Sequence, residues 1–158
     1  MKTLWLKFLE WFLAWSVRHR TSSLPQHLRT GIEGETAAFF HLQRLGYVVV
    51  EHRWQRKEIK GDLDLVAWKG ETLCFVEVKT RTARDAFPAE EMVDHEKRTS
   101  LRRMARAYLR RFPEAQRPQT RFDILAVYLL PQGHREFELF ENAFGWSEHD
   151  QGRWGDRW

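Results

Sequence analysis

The chain has 158 residues, 42% of them hydrophobic and 30% charged, with a formal net charge of +4. That length suits one domain with a sizeable core plus short appendages, and the mild positive charge points to anionic partners such as nucleic acid or an acidic membrane surface. The single cysteine, Cys74, excludes an internal disulfide and makes a reducing, cytoplasmic location the expectation, while the seven histidines lack the paired spacing of a zinc site.

The opening MKTLWLKFLEWFLAWSVRHR is apolar and aromatic. Lys7 and Glu10 interrupt it before the roughly twenty apolar residues that a membrane span needs. As a helix it gathers Thr3, Lys7, Glu10 and Ala14 into a narrow stripe and leaves Leu4, Trp5, Phe8, Leu9, Trp11, Phe12 and Trp15 over the rest. Residues 1–24 are therefore expected to be an amphipathic helix and linker whose wide apolar face docks on protein or on a membrane surface. Charges inside the apolar region and the lack of a small-residue cleavage site speak against a signal peptide.

The domain proper is expected over residues 25–144. TGIEGETAAFFHLQRLG reads as a helix closed by Gly46, with Thr30 and Glu33 as a capping box that satisfies first-turn N–H groups. Glu35 shares helical spacing with Ala38, Phe39 and Leu42, the face that points inward. An acid there is either a partner of the helix dipole or a site residue. YVVVEHRW, GDLDLVAW and TLCFVEVKTR follow as three strands rich in β-branched and aromatic residues.

A helix is expected from about Asp94 to Phe112, with Leu101, Met104, Ala105, Tyr108, Leu109 and Phe112 on one apolar face. Arg98, Arg102, Arg106 and Arg110 run four apart beside it, extended by Arg103 and Arg111. RFDILAVYLL is a fourth strand and REFELFENAF a fifth; residues 145–158 are expected to be a disordered tail. Trp54 and Trp68 read as core or sheet cover, and Asp123 as the partner of an arginine.

Strands destined for burial rarely carry charge, yet Asp64 lies in the second strand and Glu77 and Lys79 in the third. Alternation puts Glu77 and Lys79 on one face with Phe75. If the loop is Lys69 to Thr72, Asp64 lies opposite Glu77; if only Lys69 and Gly70 turn the chain, it lies diagonal to it, on the same face either way. Two readings stand. The three residues form an ordinary strand salt bridge on a wet face, or two carboxylates share a hard cation, Mg²⁺ or Mn²⁺, beside a lysine that positions an anion or a water. The second arrangement suits metal-assisted phosphodiester hydrolysis.

Gly34 and Glu35 followed by Ala38, Leu42 and Gly46, then GDLDLVA with Asp64, FVEVKTR with Glu77 and Lys79, and finally ENAF, together resemble the YraN-like proteins. These belong to the restriction-endonuclease-like superfamily, named for its PD-(D/E)xK motif, and are similar to archaeal Holliday-junction resolvases. The resemblance spans Thr30 to about Phe144. It implies an α/β fold with an αβββαβ core, a mixed central sheet flanked by helices, and a helix acid, a strand Asp and an E-x-K strand meeting at one metal site. Glu35, Asp64, Glu77 and Lys79 inherit those catalytic roles, the three acids as metal ligands. The family's usual GEIDL is GDLDL here, so Asp62 is one methylene shorter than the common Glu. The first twenty-odd residues and the tryptophan-bearing tail lie outside the resemblance.

The expected function is a Mg²⁺-dependent endonuclease (Mn²⁺ substituting) acting on DNA, with branched structures as a candidate substrate and a homodimer as a candidate assembly, since a resolvase must cut two strands. Arg81, Arg84, Lys97, Arg98, Arg102 and Arg106 are the candidate phosphate contacts. The alternative is a non-catalytic nucleic-acid-binding module that keeps the fold and the basic surface.

Overall fold

A computed structural model describes residues 24–84 and 93–147. The expectations for residues 1–23 and for the tail from residue 148 lie outside the described residues. Five strands form one sheet in the order β1 (Val48–Arg56), β2 (Ile59–Lys69), β3 (Thr72–Arg81), β4 (Gln119–Leu129), β5 (Arg135–Phe144). Only β3 and β4 are parallel, and helix α2 (His95–Leu109) lies between them in sequence, as a parallel pair requires a crossover. The remaining pairs are antiparallel neighbours. Helix α1 (Gln26–Arg44) opens the domain.

Each helix covers one sheet face. On the α2 side, Leu101, Met104, Ala105 and Tyr108 meet Val66, Leu73, Phe75, Phe122 and Ile124. On the α1 side, Ala37, Ala38 and Leu42 meet Leu65, Ala67, Val76, Leu125 and Val127. Both faces of β2 and β3 are thus dry, which is why these strands read as nearly continuous apolar runs rather than alternating ones. The result is the expected α/β architecture, a mixed sheet flanked by helices. Among the described residues no helix is long and apolar enough to cross a membrane.

Three expectations are corrected. Helix α1 begins at Gln26 behind Pro25, four residues earlier than expected, and no side chain caps it. Thr30 lies inside the helix, where its hydroxyl donates to the Gln26 carbonyl at 2.9 Å, and Glu33 pairs with Arg135 of β5 instead of closing a capping box. Finally, residues 145–147 are part of the fold. Trp146 packs on Phe122 and Phe75 and donates its indole N–H to Thr120 Oγ1 at 3.0 Å.

Gly34 explains how closely α1 approaches the sheet. A Cβ at this position would come within 1.8 Å of Thr80 Oγ1, so only glycine lets the helix lie against β3 there. Glu35, the next residue, is thereby held beside the C-terminal end of β3.

Candidate functional site

Four charged side chains are buried among the described residues: Asp64, Glu77, Arg102 and Asp123. Two of them share one place. The β2–β3 ladder runs from Lys69↔Thr72 to Leu65↔Val76, and continuing that register sets Asp64 opposite Glu77. There the ladder ends, although β2 goes on pairing with β1 and β3 with β4. Asp64 fills the opening: its Oδ2 accepts the Val78 N–H at 2.8 Å, standing in for a lost ladder bond. Leu63 packs on the α2 side and Leu65 on the α1 side, whereas strict alternation would keep residues two apart on one face. The alternation breaks at Asp64, which turns its carboxyl into the gap between strands.

Glu77 is 2% exposed and faces α2. Its Oε1 receives two ammonium groups, Lys79 Nζ at 3.0 Å and Lys97 Nζ at 3.1 Å. Lys97 is delivered by the first turn of α2, where the Asp94 carboxylate accepts its backbone N–H at 2.8 Å, and its Nζ also lies 4.0 Å from Asp62 Oδ1. The second Glu77 oxygen, Oε2, is buried without a hydrogen-bond partner. Burial, and after it the neighbouring Glu77 charge, pushes the Asp64 carboxyl up to about 7, against the pull of the Val78 N–H and Lys97. Burial works against the Lys97 ammonium too, but the Glu77 and Asp64 carboxylates outweigh it and hold Lys97 above the ordinary lysine range.

Glu35 stands apart from this cluster. Its Oε2 lies 3.1 Å from His52 Nε2 and 3.6 Å from Arg53 Nε, both on β1, and it lines a cleft of about 680 Å³ with Thr30, Val78, Thr80 and Arg81. Its charge still contributes to raising Asp64. The structure therefore gathers Asp64, Glu77 and Lys79, adds Lys97, and places Glu35 on the α1 side. Among the described residues no three His, Cys, Asp or Glu side chains form a ready-made metal cage. The orphaned Glu77 Oε2 beside an Asp64 carboxyl raised by that same neighbour is nevertheless a donor set that fits a divalent cation. Magnesium is commonly held by one or two carboxylates, with water and substrate phosphate supplying the rest.

Within the arginine row, Arg102 is buried and Arg98 and Arg106 contact the fold itself, whereas Arg106 and Arg110 are exposed. Arg102 donates to the carbonyls of Gly145 (2.9 Å) and Ser147 (3.1 Å). Arg98 donates to the Val93 carbonyl and lies over Phe144, and Arg106 lies over the Trp146 ring. These guanidiniums hold the segment after β5 against α2. Lys97 is committed to Glu77, and Arg84 pairs with Glu136. Arg81 lines the Glu35 cleft. His52 and Arg53 were not singled out from the sequence. In a regular strand adjacent residues face opposite ways; here both reach Glu35, and Arg53 takes a left-handed φ of +52°.

The other buried acid, Asp123, lies on β4 paired with Val76, one position along from Glu77, but alternation turns it to the α1 side of the sheet. Its oxygens accept from Arg121 Nε at 3.0 Å and from the Asn142 N–H at 2.8 Å. Arg121 also reaches Glu141 at 2.7 Å, and the Tyr47 hydroxyl donates to Glu141 at 2.6 Å. Burial pushes Asp123 up to about 6 against the pull of the Asn142 N–H and Arg121.

The profile of the family described as "Uncharacterised protein family UPF0102" matches residues 34–127. The chain is 46% identical over 120 residues to a UPF0102 protein of Koribacter versatilis, covering 76% of this chain and 82% of that one. It is 41% identical over 111 residues to a UPF0102 protein of Solibacter usitatus, covering 70% and 82%. A UPF0102 protein of Symbiobacterium thermophilum is 37% identical over 116 residues, covering 73% and 96%.

Proposed function

The chain belongs to the UPF0102 family, part of the restriction-endonuclease-like superfamily, and we propose that it is a metal-dependent nuclease hydrolysing phosphodiester bonds of DNA. One observation carries this reading: Glu77 Oε2 is buried with no partner beside Asp64, whose carboxyl is pushed up to about 7 by burial. Natural interiors seldom leave a carboxylate oxygen unsatisfied, because the desolvation cost is not recovered. A divalent ion would recover it.

Asp64 and Glu77 would hold that ion, Mg²⁺ or Mn²⁺. When bound it supplies Lewis-acid polarisation of the phosphate and a lowered pKa for its water. The protein's own groups do the rest. The Val78 N–H fixes the Asp64 carboxyl at the strand opening. Lys79 carries an ammonium to the rim of the cluster, where it can orient a phosphate oxygen or a water for in-line attack. Glu35 guards the neighbouring cleft, kept in place by His52 and Arg53. Branched DNA and a homodimer remain parts of the same proposal.

A non-catalytic binding module is the second reading, favoured by the two lysines already neutralising Glu77. Mn²⁺ titration calorimetry with nicking assays on linear, flapped and four-way DNA separates the two. The nuclease requires Mn²⁺ binding that Asp64→Ala abolishes together with cleavage. Absent cleavage on every substrate, with DNA affinity untouched by Asp64→Ala, establishes the module.

A further inference from the structure

Arg98, Arg102 and Arg106 of α2 contact the chain's own carbonyls and rings. A separate collection of positive charge at the site end of the sheet lies on the β1–β2 hairpin. Arg53, Arg56, Lys57 and Lys60 crowd its distal half, where Glu58 and Asp62 are the acids nearest the tip, and all four cations are exposed. Arg56 pairs with Glu58 at 2.9 Å, a bridge between two open side chains that a phosphate can replace. Lys57 and Lys60 have no side-chain partner among the described residues.

The hairpin is held rather than loose. Gly61, at φ +119°, lets α2 come so close that a Cβ would lie 2.7 Å from Ser100 Oγ. Arg103 of α2 donates to the Lys60 carbonyl at 2.8 Å, fixing the backbone while the Lys60 ammonium points to solvent. Beneath the tip a cleft of about 600 Å³ is lined by Gln55, Arg56, Lys57, Ile59, Gly61 and Asp62. Asp62 leads directly to the catalytic cluster, its Oδ1 being 4.0 Å from Lys97 Nζ, which itself contacts Glu77.

Cations on an edge strand also serve to block sheet-to-sheet aggregation. That role would spread them along β1. Here they collect in the half beside the cleft, while the other half exposes Val48 and Val50. We propose that the β1–β2 hairpin, through Arg56, Lys57 and Lys60, grips the phosphate backbone of the DNA that enters the Asp64–Glu77 site. This rests on the nuclease reading and identifies the surface that presents substrate to it.

The test is fluorescence anisotropy with labelled duplex and four-way-junction DNA in EDTA, across a salt series. The triple variant Arg56→Gln, Lys57→Gln, Lys60→Gln should bind at least about tenfold more weakly, with a log–log salt slope shallower by about 0.9 per lost contact. A charge-matched triple change at Arg44, Arg110 and Arg117, towards the far end of the sheet, should cost much less. Lys57→Glu alone, at an exposed turn that folding does not depend on, should reproduce part of the loss. Equal losses in the two triples, or none in the hairpin triple while wild-type protein binds and nicks DNA, overturn the hairpin and leave the nuclease reading intact. Wild-type protein that binds neither DNA overturns both.

Discussion

The sheet buries carboxylate charge in two places, at the β2–β3 opening and at Asp123 on β4, and it does so in opposite ways. Around Asp123 every oxygen has a donor, from Arg121 on one side and the Asn142 N–H on the other, and Tyr47 and Glu141 close the network. At the β2–β3 opening, Asp64 and Glu77 face one another, two lysines crowd a single Glu77 oxygen, and the second oxygen has none. A complete network fixes a fold; it ties Tyr47, just before β1, to β4 and β5 where the β4–β5 register shifts. An incomplete one is costly to the fold, and such a cost persists where a ligand repays it. Burial alone would not distinguish these sites; partner accounting does.

Removing one acid from each place sharpens that contrast most. Asp64→Ala should abolish Mn²⁺ binding and lower cleavage by roughly three orders of magnitude, since several kcal/mol of charge stabilisation are lost at about 1.4 per factor of ten. Folding stability should hold or rise. Asp123→Ala should do the reverse, costing about 3 kcal/mol in denaturant unfolding by taking from Arg121 its buried carboxylate partner and leaving it Glu141 and the Tyr47 hydroxyl, while Mn²⁺ affinity stays the same. If Asp64→Ala instead unfolds the protein and Asp123→Ala does not, the assignment of site and scaffold is inverted.

Much of this was legible in the sequence because it rests on local periodicity. TLCFVEVKTR and REFELFENAF coincide with β3 and β5, and both hairpin loops open to the sequence put Asp64 on the face of Glu77, the Lys69↔Thr72 pair selecting the one that sets them opposite. What could not be read depends on tertiary approach. Thr30 and Glu33 have the spacing of a capping box, but Pro25 opens the helix one turn earlier, where its fixed φ is already suitable, and Arg135 draws Glu33 away. The arginine row has the spacing of a solvated flank. Its fate is decided by residues 145–147, which fold back over α2 and offer carbonyls and rings at more than forty residues' remove from Arg102. Glu35 met its β1 partners only because Arg53 adopts a left-handed backbone that no spacing rule predicts.

The same contrast can be followed by pH. The Asp64 carboxyl, near 3.9 in an unfolded chain, is raised to about 7 in the fold. Between those values the native state holds a proton that the unfolded state has released, so stability falls as pH rises, by at most about 1.4 kcal/mol per unit. Asp123, raised to about 6, adds a fall of the same sign that ends earlier. In EDTA, melting temperature should therefore decline from about pH 4 to about pH 7. Mg²⁺ should restore stability at the alkaline end by favouring ionised Asp64, and Asp64→Asn should remove both the later part of the decline and the response to Mg²⁺. Asp123→Asn should leave the Mg²⁺ response unchanged. A Mg²⁺ response that survives Asp64→Asn would place the cation elsewhere.

The smallest effect is expected from Lys97, and its sign matters more than its size. Lys97 Nζ sits 3.1 Å from the Glu77 carboxylate while partly exposed, so a divalent ion arriving at Glu77 must compete with its charge. Deleting that charge in Lys97→Met should tighten Mn²⁺ binding by up to about fivefold, the scale of one partly exposed ion pair. Lys79→Met, which removes the other ammonium from the same oxygen, should tighten Mn²⁺ binding comparably but depress cleavage, because the nuclease reading gives Lys79 a task beyond neutralising Glu77. Calorimetry and nicking rates on the two variants therefore separate a lysine that fills the site from one that works in it. Equal loss of Mn²⁺ affinity in both would mean that the lysines hold Glu77 in shape for the ion rather than compete with it.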